Sequence, residues 1–319
     1  MFALKTQLEY ELQRFSAVKN SIETVFIGGG TPSTVAPELY KPIFELIKPY
    51  LSRKIEITSE ANPNSATKEW LLGMKNLGVN RISFGIQSFD ATKLKLLNRA
   101  HTPEMAINAV NNAASIGYEN ISLDLIYATL GDTKELLQKD IDTAFSLPIN
   151  HLSAYALTIE EGTAFENKKE MSSEQLSLTK WIFKNLKSHG FEQYEISNFG
   201  KYQSAHNLGY WLYKDYIGAG AGAVGKLHKT RYYPTPDIEQ YIKNPLDIQR
   251  EELTEEDTKI EQIFLGLRSS IGVNKTILTQ EELKRAQILL DENKITLKNE
   301  ILYNDDFLLA DEIALFLTS

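Results

Sequence analysis

Apolar runs rich in β-branched residues recur through the first half of the chain, at residues 24–27, 55–59, 81–86, 120–127 and 151–159. Between them, apolar positions repeat at helical spacing. This alternation predicts a βα series built on a parallel sheet, either doubly wound or closed toward a barrel. The clearest helix spans 104–116, where Ala106, Ala109, Val110 and Ala113 share a face and Gly117 supplies the stop. The chain also opens on a helix, with Leu4, Leu8, Leu12 and Phe15 on one apolar face. A strict βα series would place a strand before it, so the opening fits equally a capping helix or a series whose first strand is lost.

The rhythm changes after residue 165. A long helix is expected from Ser172, carrying Leu176, Ile182, Phe183 and Leu186 and stopping at Gly190, followed by an aromatic-rich stretch over 191–233. From Thr254 the pattern predicts helices near 254–268 and 279–290, a strand pair over 294–303 and a last helix over 307–317. Thr279 and Glu282 have the spacing of a capping box. This order suggests a small winged-helix-like module, and the whole divides into a β/α core over 1–165, an extension over 166–250 and a C-terminal helical domain over 251–319.

Composition narrows the partners. A net charge of −8 with no concentrated basic run argues against nucleic acid. No stretch is long and apolar enough to span a membrane, and the N-terminus lacks the order of a secretory signal. The expectation is a cytoplasmic protein with a small-molecule ligand. There is no cysteine among the 319 residues, which excludes disulfides and thiol chemistry.

Candidate chemistry lies at the carboxyl ends of the expected strands, where parallel βα folds bind ligands. Gly28, Gly29, Gly30 and Thr31 end the first, Glu60 the second and Gln87 the third, and Asp124 lies late in the fourth. Each alone has a plain structural explanation, such as a tight turn or a carboxylate that caps loop amides. Asp124 resists it most, because a carboxylate amid Leu123, Leu125 and Ile126 carries a desolvation cost and needs a partner. Arg99 is the cation placed to meet a ligand carboxylate, or else a surface ion pair. Gly220, Gly222 and Gly225 match a dinucleotide fingerprint, but the aromatic, β-like residues after them argue against it. His206 precedes Tyr210 and Trp211, a combination that is commonly structural yet would suit an axial nitrogen with stacking rings around a flat macrocycle.

The ordered set Gly28-Gly29-Gly30-Thr31-Pro32-Ser33, Glu60-Ala61-Asn62-Pro63, Gly85-Ile86-Gln87-Ser88-Phe89, Arg99, Asp124-Leu125-Ile126-Tyr127, Gln193-Tyr194-Glu195-Ile196-Ser197-Asn198 and His206-Asn207 with Tyr210-Trp211 resembles the radical S-adenosylmethionine proteins of the oxygen-independent coproporphyrinogen III oxidase family. The His206–Trp211 segment and the short C-terminus look more like its heme-chaperone branch. The resemblance implies a partial (β/α)6 barrel whose second to sixth strands are the five found here. It implies an S-adenosylmethionine site lined by Gly29, Gly30 and Thr31, with Glu60, Gln87 and Asp124 on the polar groups and Arg99 on the carboxylate. His206 becomes a candidate heme contact, with heme or a porphyrin and a heme-accepting client protein as partners.

Two departures stand out. Residues 127–133 read Tyr-Ala-Thr-Leu-Gly-Asp-Thr where the family usually has Gly-Leu-Pro-Gly-Gln-Thr, and the family's cysteine motif for a [4Fe–4S] cluster is missing together with its first strand. The expectation is an N-terminally truncated heme-chaperone-type protein. The alternatives are the oxidase of porphyrin biosynthesis and a redox-silent binding module.

Overall fold

A computed structural model of the chain describes residues 1–159, 162, 165–173 and 175–319. The opening helix is α1 (Phe2–Arg14), followed by β1 (Ile22–Ile27), α2 (Pro37–Ile47), β2 (Leu51–Ala61), α3 (Lys68–Leu77), β3 (Arg81–Gln87), α4 (Ala91–Leu96), α5 (Pro103–Ile116), β4 (Asn120–Tyr127), α6 (Lys134–Phe145) and β5 (His151–Ala156). All five strands fall on the apolar runs, although the fifth stops at Ala156 rather than 159. Next come α7 (Leu176–Ser188) and two short strands, β6 (Glu192–Gln193) and β7 (Asn198–Gly200). The helix expected from Ser172 therefore starts later, after a single 3-10 turn at Lys169–Met171; Glu174, within the expected span, lies outside the described residues.

These strands form one sheet in the order β1-β2-β3-β4-β5-β7-β6. Neighbours from β2 to β5 are parallel, whereas β7 is antiparallel to both β5 and β6. The result is a partial β/α barrel. Its central strands bury both faces, as parallel strands must when helices cover one side: Ile82, Phe84, Ile86, Leu123 and Leu152 are fully buried. The small residues Ala106, Ala109 and Ala113 of α5 are buried too, and Gly117 ends that helix at φ +93°, a left-handed conformation that favours glycine.

The chain divides into two compact units. One comprises Thr24–Leu39 and Ile55–Gln203, and the other Met1–Glu23, Tyr40–Lys54 and Ser204–Ser319. Within the first, a buried polar network ties the strands together where they begin. Arg81 on β3 donates to the Tyr202 hydroxyl at 2.9 Å and to Thr58 Oγ1 on β2 at 3.5 Å, with His151 Nδ1 on β5 at 3.4 Å. His151 also meets Ser122 Oγ of β4 at 2.7 Å and the Tyr194 hydroxyl at 2.7 Å. A guanidinium only donates, so Nδ1 is the acceptor and Nε2 carries the hydrogen toward Tyr194. Burial and the Arg81 charge hold the His151 pKa well below the ordinary imidazole value, which keeps the ring neutral.

The second unit continues with α8 (Ala205–Trp211), β8 (Gly225–Leu227), β9 (Thr230–Pro234), α9 (Ile238–Lys243) and β10 (Ile248–Glu252), the three strands pairing as β10-β9-β8. Here α1 buries a different face from the one expected. Ala3, Gln7, Glu11 and Leu12 are buried, while Leu4, Leu8 and Phe15 are only partly covered. The reason is polar: Gln7 Nε2 donates to the Gly218 carbonyl at 3.1 Å, and Gln7 Oε1 accepts from Gly220 N at 2.9 Å and the Tyr241 hydroxyl at 2.8 Å. The glycine run is thus a tight turn, with Gly220 at φ +123°. A strand, not a helix, follows it, and a dinucleotide fingerprint needs that helix.

The chain closes with α10 (Glu255–Leu267), β11 (Val273–Asn274), α11 (Gln280–Asp291), β12 (Ile295–Lys298), β13 (Ile301–Asn304) and α12 (Ala310–Thr318). The strands pair antiparallel in the order β11-β13-β12, a winged-helix-like arrangement. Capping boxes start both α10, through Thr254 and Asp257, and α11, through Thr279 and Glu282. Ile263, Leu267, Leu289, Ile295, Leu302, Ile313 and Leu317 form the core.

Asn299 and Glu300 join β12 to β13 with φ of 50° and 68°, the left-handed pair that a two-residue hairpin turn demands. Asparagine tolerates this and glutamate does not. Glu300→Gly is therefore expected to stabilise the chain by about 1 kcal/mol, read as a raised thermal midpoint. The exposed Lys275 pair that it loses, at 2.9 Å, contributes little. A lowered midpoint would show that this pair outweighs the backbone strain.

Candidate functional site

The strand ends of the first unit gather the residues that the sequence singled out. Gly28, Gly29 and Gly30 are exposed after β1. A Cβ on Gly28 would collide with the Phe26 ring at 2.5 Å and approach the Glu60 carboxyl at 3.1 Å, whereas one on Gly29 or Gly30 would meet nothing within 4 Å. Gly28 thus packs against Glu60, while the next two present bare backbone to open space. Gly29 adopts φ +99°, and its amide donates to the Glu60 carboxylate. Asn62, just after β2, fastens this loop through Nδ2 to Thr31 Oγ1 at 3.4 Å and through its amide to Ser33 Oγ at 2.9 Å.

Gln87 ends β3 beside a bulge, at φ +69°, and pairs with Leu125, the residue after Asp124. A bulge re-aims a side chain, and here it brings Gln87 Nε2 within 3.0 Å of where a Gly85 Cβ would stand; glycine leaves that room. Asp124 accepts from Ser83 Oγ at 3.4 Å and from the Ser153 hydroxyl. Burial raises its pKa, opposed by those hydroxyls and by the charges of Arg81 and Arg99. Burial also raises that of Glu60, reinforced by the nearby Asp124. Arg99 is exposed and makes no salt bridge among the described residues, so of its two expected roles the surface ion pair is absent.

The loop where the sequence departs from the family pattern has its own anchor. Ala128 follows β4 at φ +59°, and the Asp132 carboxylate accepts from Thr129 N at 2.9 Å while pairing with Lys93 Nζ at 2.8 Å. Asp140 of α6 lies 4.0 Å from the same ammonium and accepts from Ser88 Oγ and the Phe89 amide. All three charged side chains are buried. They tie the loops after β3 and β4 to α4 and α6, which holds the strained Gln87 and Ala128 in place.

Sequence reasoning missed three members of this neighbourhood. Ser153 on β5 sits opposite Asp124 in register, and its signal was a polar residue within an apolar strand. Tyr155, two residues on, feels the charges of both Asp124 and Glu195. Glu195 belonged to a motif already noted, but no role was drawn from it. It is 1% exposed, and burial lifts its pKa to about 7 against backbone and side-chain hydrogen bonds at Ser197 and Asn198. One carboxylate oxygen, Oε2, accepts from Ser197 N at 3.1 Å, and Oε1 lacks a partner among the described residues.

His206 belongs to the other unit, on the short α8, whose first turn Ser204 caps by accepting from Asn207 N. The His206 ring stands edge-on to Tyr210 at 5.1 Å, and Tyr210 edge-on to Tyr216 at 4.8 Å. The Trp211 indole N–H, on the same helix, is buried with no acceptor among the described residues.

The sequence signature of the Radical SAM superfamily matches residues 4–144. Over 315 residues the chain is 34% identical to the heme chaperone HemW of Lactococcus lactis, which covers 92% of this chain and 81% of that protein. The chain belongs to the HemW family. The heme chaperone HemW of Bacillus subtilis is 36% identical to this HemW-family chain over 271 residues, 80% of it and 72% of the relative. The solved structure of HemN, the coproporphyrinogen III oxidase from Escherichia coli, covers 99% of the chain and 82% of its own with a TM-score of 0.82. At 18% identity that likeness shows the fold.

The superfamily implies S-adenosylmethionine and an iron–sulfur cluster. The open Gly29–Gly30 backbone, the carboxylates of Glu60 and Asp124 and the guanidinium of Arg99 fit the first. The second needs thiolates, and a HemW-family chain of 319 residues without cysteine does not supply them. Among the described residues no group of His, Asp and Glu is arranged to hold a metal, and no helix is long and apolar enough to cross a membrane.

Glu195 binds a proton more tightly folded than unfolded, so its contribution to stability is full below the unfolded value near 4.5 and is lost as pH rises through about 7. Glu195→Gln is expected to stabilise the chain by up to about 3 kcal/mol above neutrality, with the gain shrinking toward zero near pH 4.5. Denaturant unfolding of both forms across that range checks it; a gain that did not change with pH would refute the assignment.

Proposed function

We propose that this chain is a heme-binding protein of the chaperone type, holding heme at the α8 segment of one unit and S-adenosylmethionine at the strand ends of the other. Membership in the HemW family carries the reading, because its relatives from Bacillus subtilis and Lactococcus lactis are named heme chaperones. On the chain itself it is supported by His206, an imidazole able to serve as an axial ligand, next to the Tyr210 ring, and by the buried Trp211 N–H that lacks an acceptor among the described residues. A flat, largely apolar macrocycle with an acceptor group at its rim would use all three.

The strand-end site suits an amino acid joined to a nucleoside. Arg99 offers a guanidinium to its carboxylate. Glu60 and Asp124 offer acceptors to an ammonium group and to ribose hydroxyls, and a cation bound beside them would offset the cost of burying both carboxylates and the repulsion from Asp124 that adds to it at Glu60. Gly29, Gly30 and Thr31 would line the ligand with backbone groups, and Gln87 would supply one amide. S-adenosylmethionine, once bound beside a reduced cluster, is a source of radicals; the residues of this chain bind and orient it. Transfer of heme to a client protein completes the reading, and the client's identity is open to affinity capture with heme-loaded protein.

Titration with hemin, followed by the Soret band, tests the first half. The chain is expected to bind, and His206→Ala to weaken binding at least about tenfold, the loss of one axial ligand being worth more than 1.4 kcal/mol. An unchanged titration would remove His206 from the site.

Calorimetry with S-adenosylmethionine tests the second half. Asp124→Ala is expected to cut affinity by about tenfold or more while leaving hemin binding untouched. Equal affinities for the two forms would place the ligand elsewhere.

A further inference from the structure

The second unit contains a cavity of about 250 Å³ walled by Tyr210, Tyr213, Tyr216, Lys226, Arg231 and Phe264, with Glu261 and Lys214 also at its wall. We infer that this cavity takes the carboxylate-bearing edge of a planar tetrapyrrole, an inference that rests on the heme reading above. Its size decides between edge and whole: enclosed sites for drug-sized ligands run to roughly 300–1,000 Å³, so the cavity holds part of a macrocycle whose remainder lies outside.

The wall has the required two chemistries. Four aromatic rings provide flat apolar surface, and Tyr210 is the ring that His206 abuts. Against them stand three cations, Lys214, Lys226 and Arg231, and a single acid, Glu261. That acid is already committed, since Tyr213 donates to it at 2.6 Å and Arg231 pairs with it. Lys226, its side chain 5% exposed, contacts Asp215 at 3.0 Å and lies 4.2 Å from the centre of the Tyr213 ring. Lys214 pairs with Glu23 at 2.5 Å in a solvent-exposed contact that is readily exchanged. Arg231 keeps guanidinium donors beyond those used on Glu261, its other acidic neighbour being Glu251 at 4.0 Å. The lining side chains thus set three cations against one acid beside apolar rings, and Lys214 and Arg231, whose pairs with Glu23 and Glu251 are exposed or long, have donors to turn toward an anion attached to an aromatic plane.

The backbone sets Tyr213 in this wall. It is the left-handed residue, φ +57°, that ends α8, fixed by Lys214 N donating to the Gly209 carbonyl at 2.9 Å. Its hydroxyl on Glu261 and its face toward Lys226 then place the ring between those two side chains.

Hemin and its dimethyl ester test this. The ester keeps the iron and the ring plane but lacks free carboxylates, so no variant is needed for the first comparison. The chain is expected to bind hemin about tenfold more tightly than the ester, and Arg231→Gln to close most of that gap by weakening hemin alone. Circular dichroism of the variant confirms that it remains folded. If hemin and ester bind the chain equally, the inference is overturned while the heme reading stands; if Arg231→Gln leaves the gap intact, the carboxylates are held elsewhere and the inference is again overturned. Failure of the chain to bind either compound brings down the heme reading and this inference together.

Discussion

A buried guanidinium constrains the β/α unit. Arg81 is 3% exposed and has no carboxylate within ion-pairing distance among the described residues. Burying a charge without a partner is expensive, so everything around it must accept hydrogen bonds or carry compensating charge at a distance. Thr58, His151 and Tyr202 provide the acceptors, and they come from β2, β5 and the segment after β7. The strands are thus registered by one side chain at the end opposite the ligand site. His151 has to stay neutral beside it, which fixes its tautomer and in turn orients Tyr194.

The carboxylate acting on Arg81 from a distance is Glu56, and the guanidinium in turn acts on the site. Arg81 is among the groups that lower the Asp124 pKa, alongside the hydroxyls of Ser153 and Ser83. Burial pushes the other way and dominates, so the net shift is upward. Glu60 shares this condition through its proximity to Asp124. On the reading proposed above, two buried carboxylates beside bare glycine backbone and an exposed arginine would favour a zwitterionic ligand over a purely anionic one.

Much of this architecture was legible because it is local. Strands with β-branched runs, the helix stop at Gly117, the Thr279 capping box and the placement of Glu60, Gln87 and Asp124 at strand ends all follow from short-range pattern. What escaped depends on pairings that short-range pattern does not encode. β7 is three residues long and antiparallel, too brief for a period to register, yet it brings Ser197 against Ala154 and so sets Glu195 near Tyr155. The face of α1 was misjudged for a related reason. Burial of Gln7 is tolerable because the Gly218–Gly220 turn and Tyr241, more than 200 positions away, supply its hydrogen bonds, while buried Glu11 is paired with Arg14.

The same logic explains why the loop at 127–133 could differ from its family pattern without losing its place. A proline in the usual pattern would stiffen the backbone directly. Here Asp132 does the work with charge, pairing with Lys93 and capping the Thr129 amide, and Asp140 shares the ammonium while holding Ser88 and Phe89. A buried lysine between two buried aspartates is tolerable only if both loops keep their conformations, since moving either would leave a charge unpaired in an apolar interior. The polar cluster is therefore less a source of net stability than a restraint: it makes alternative positions of Gln87 and Ala128 costly, and both flank the strand ends where Glu60 and Asp124 stand.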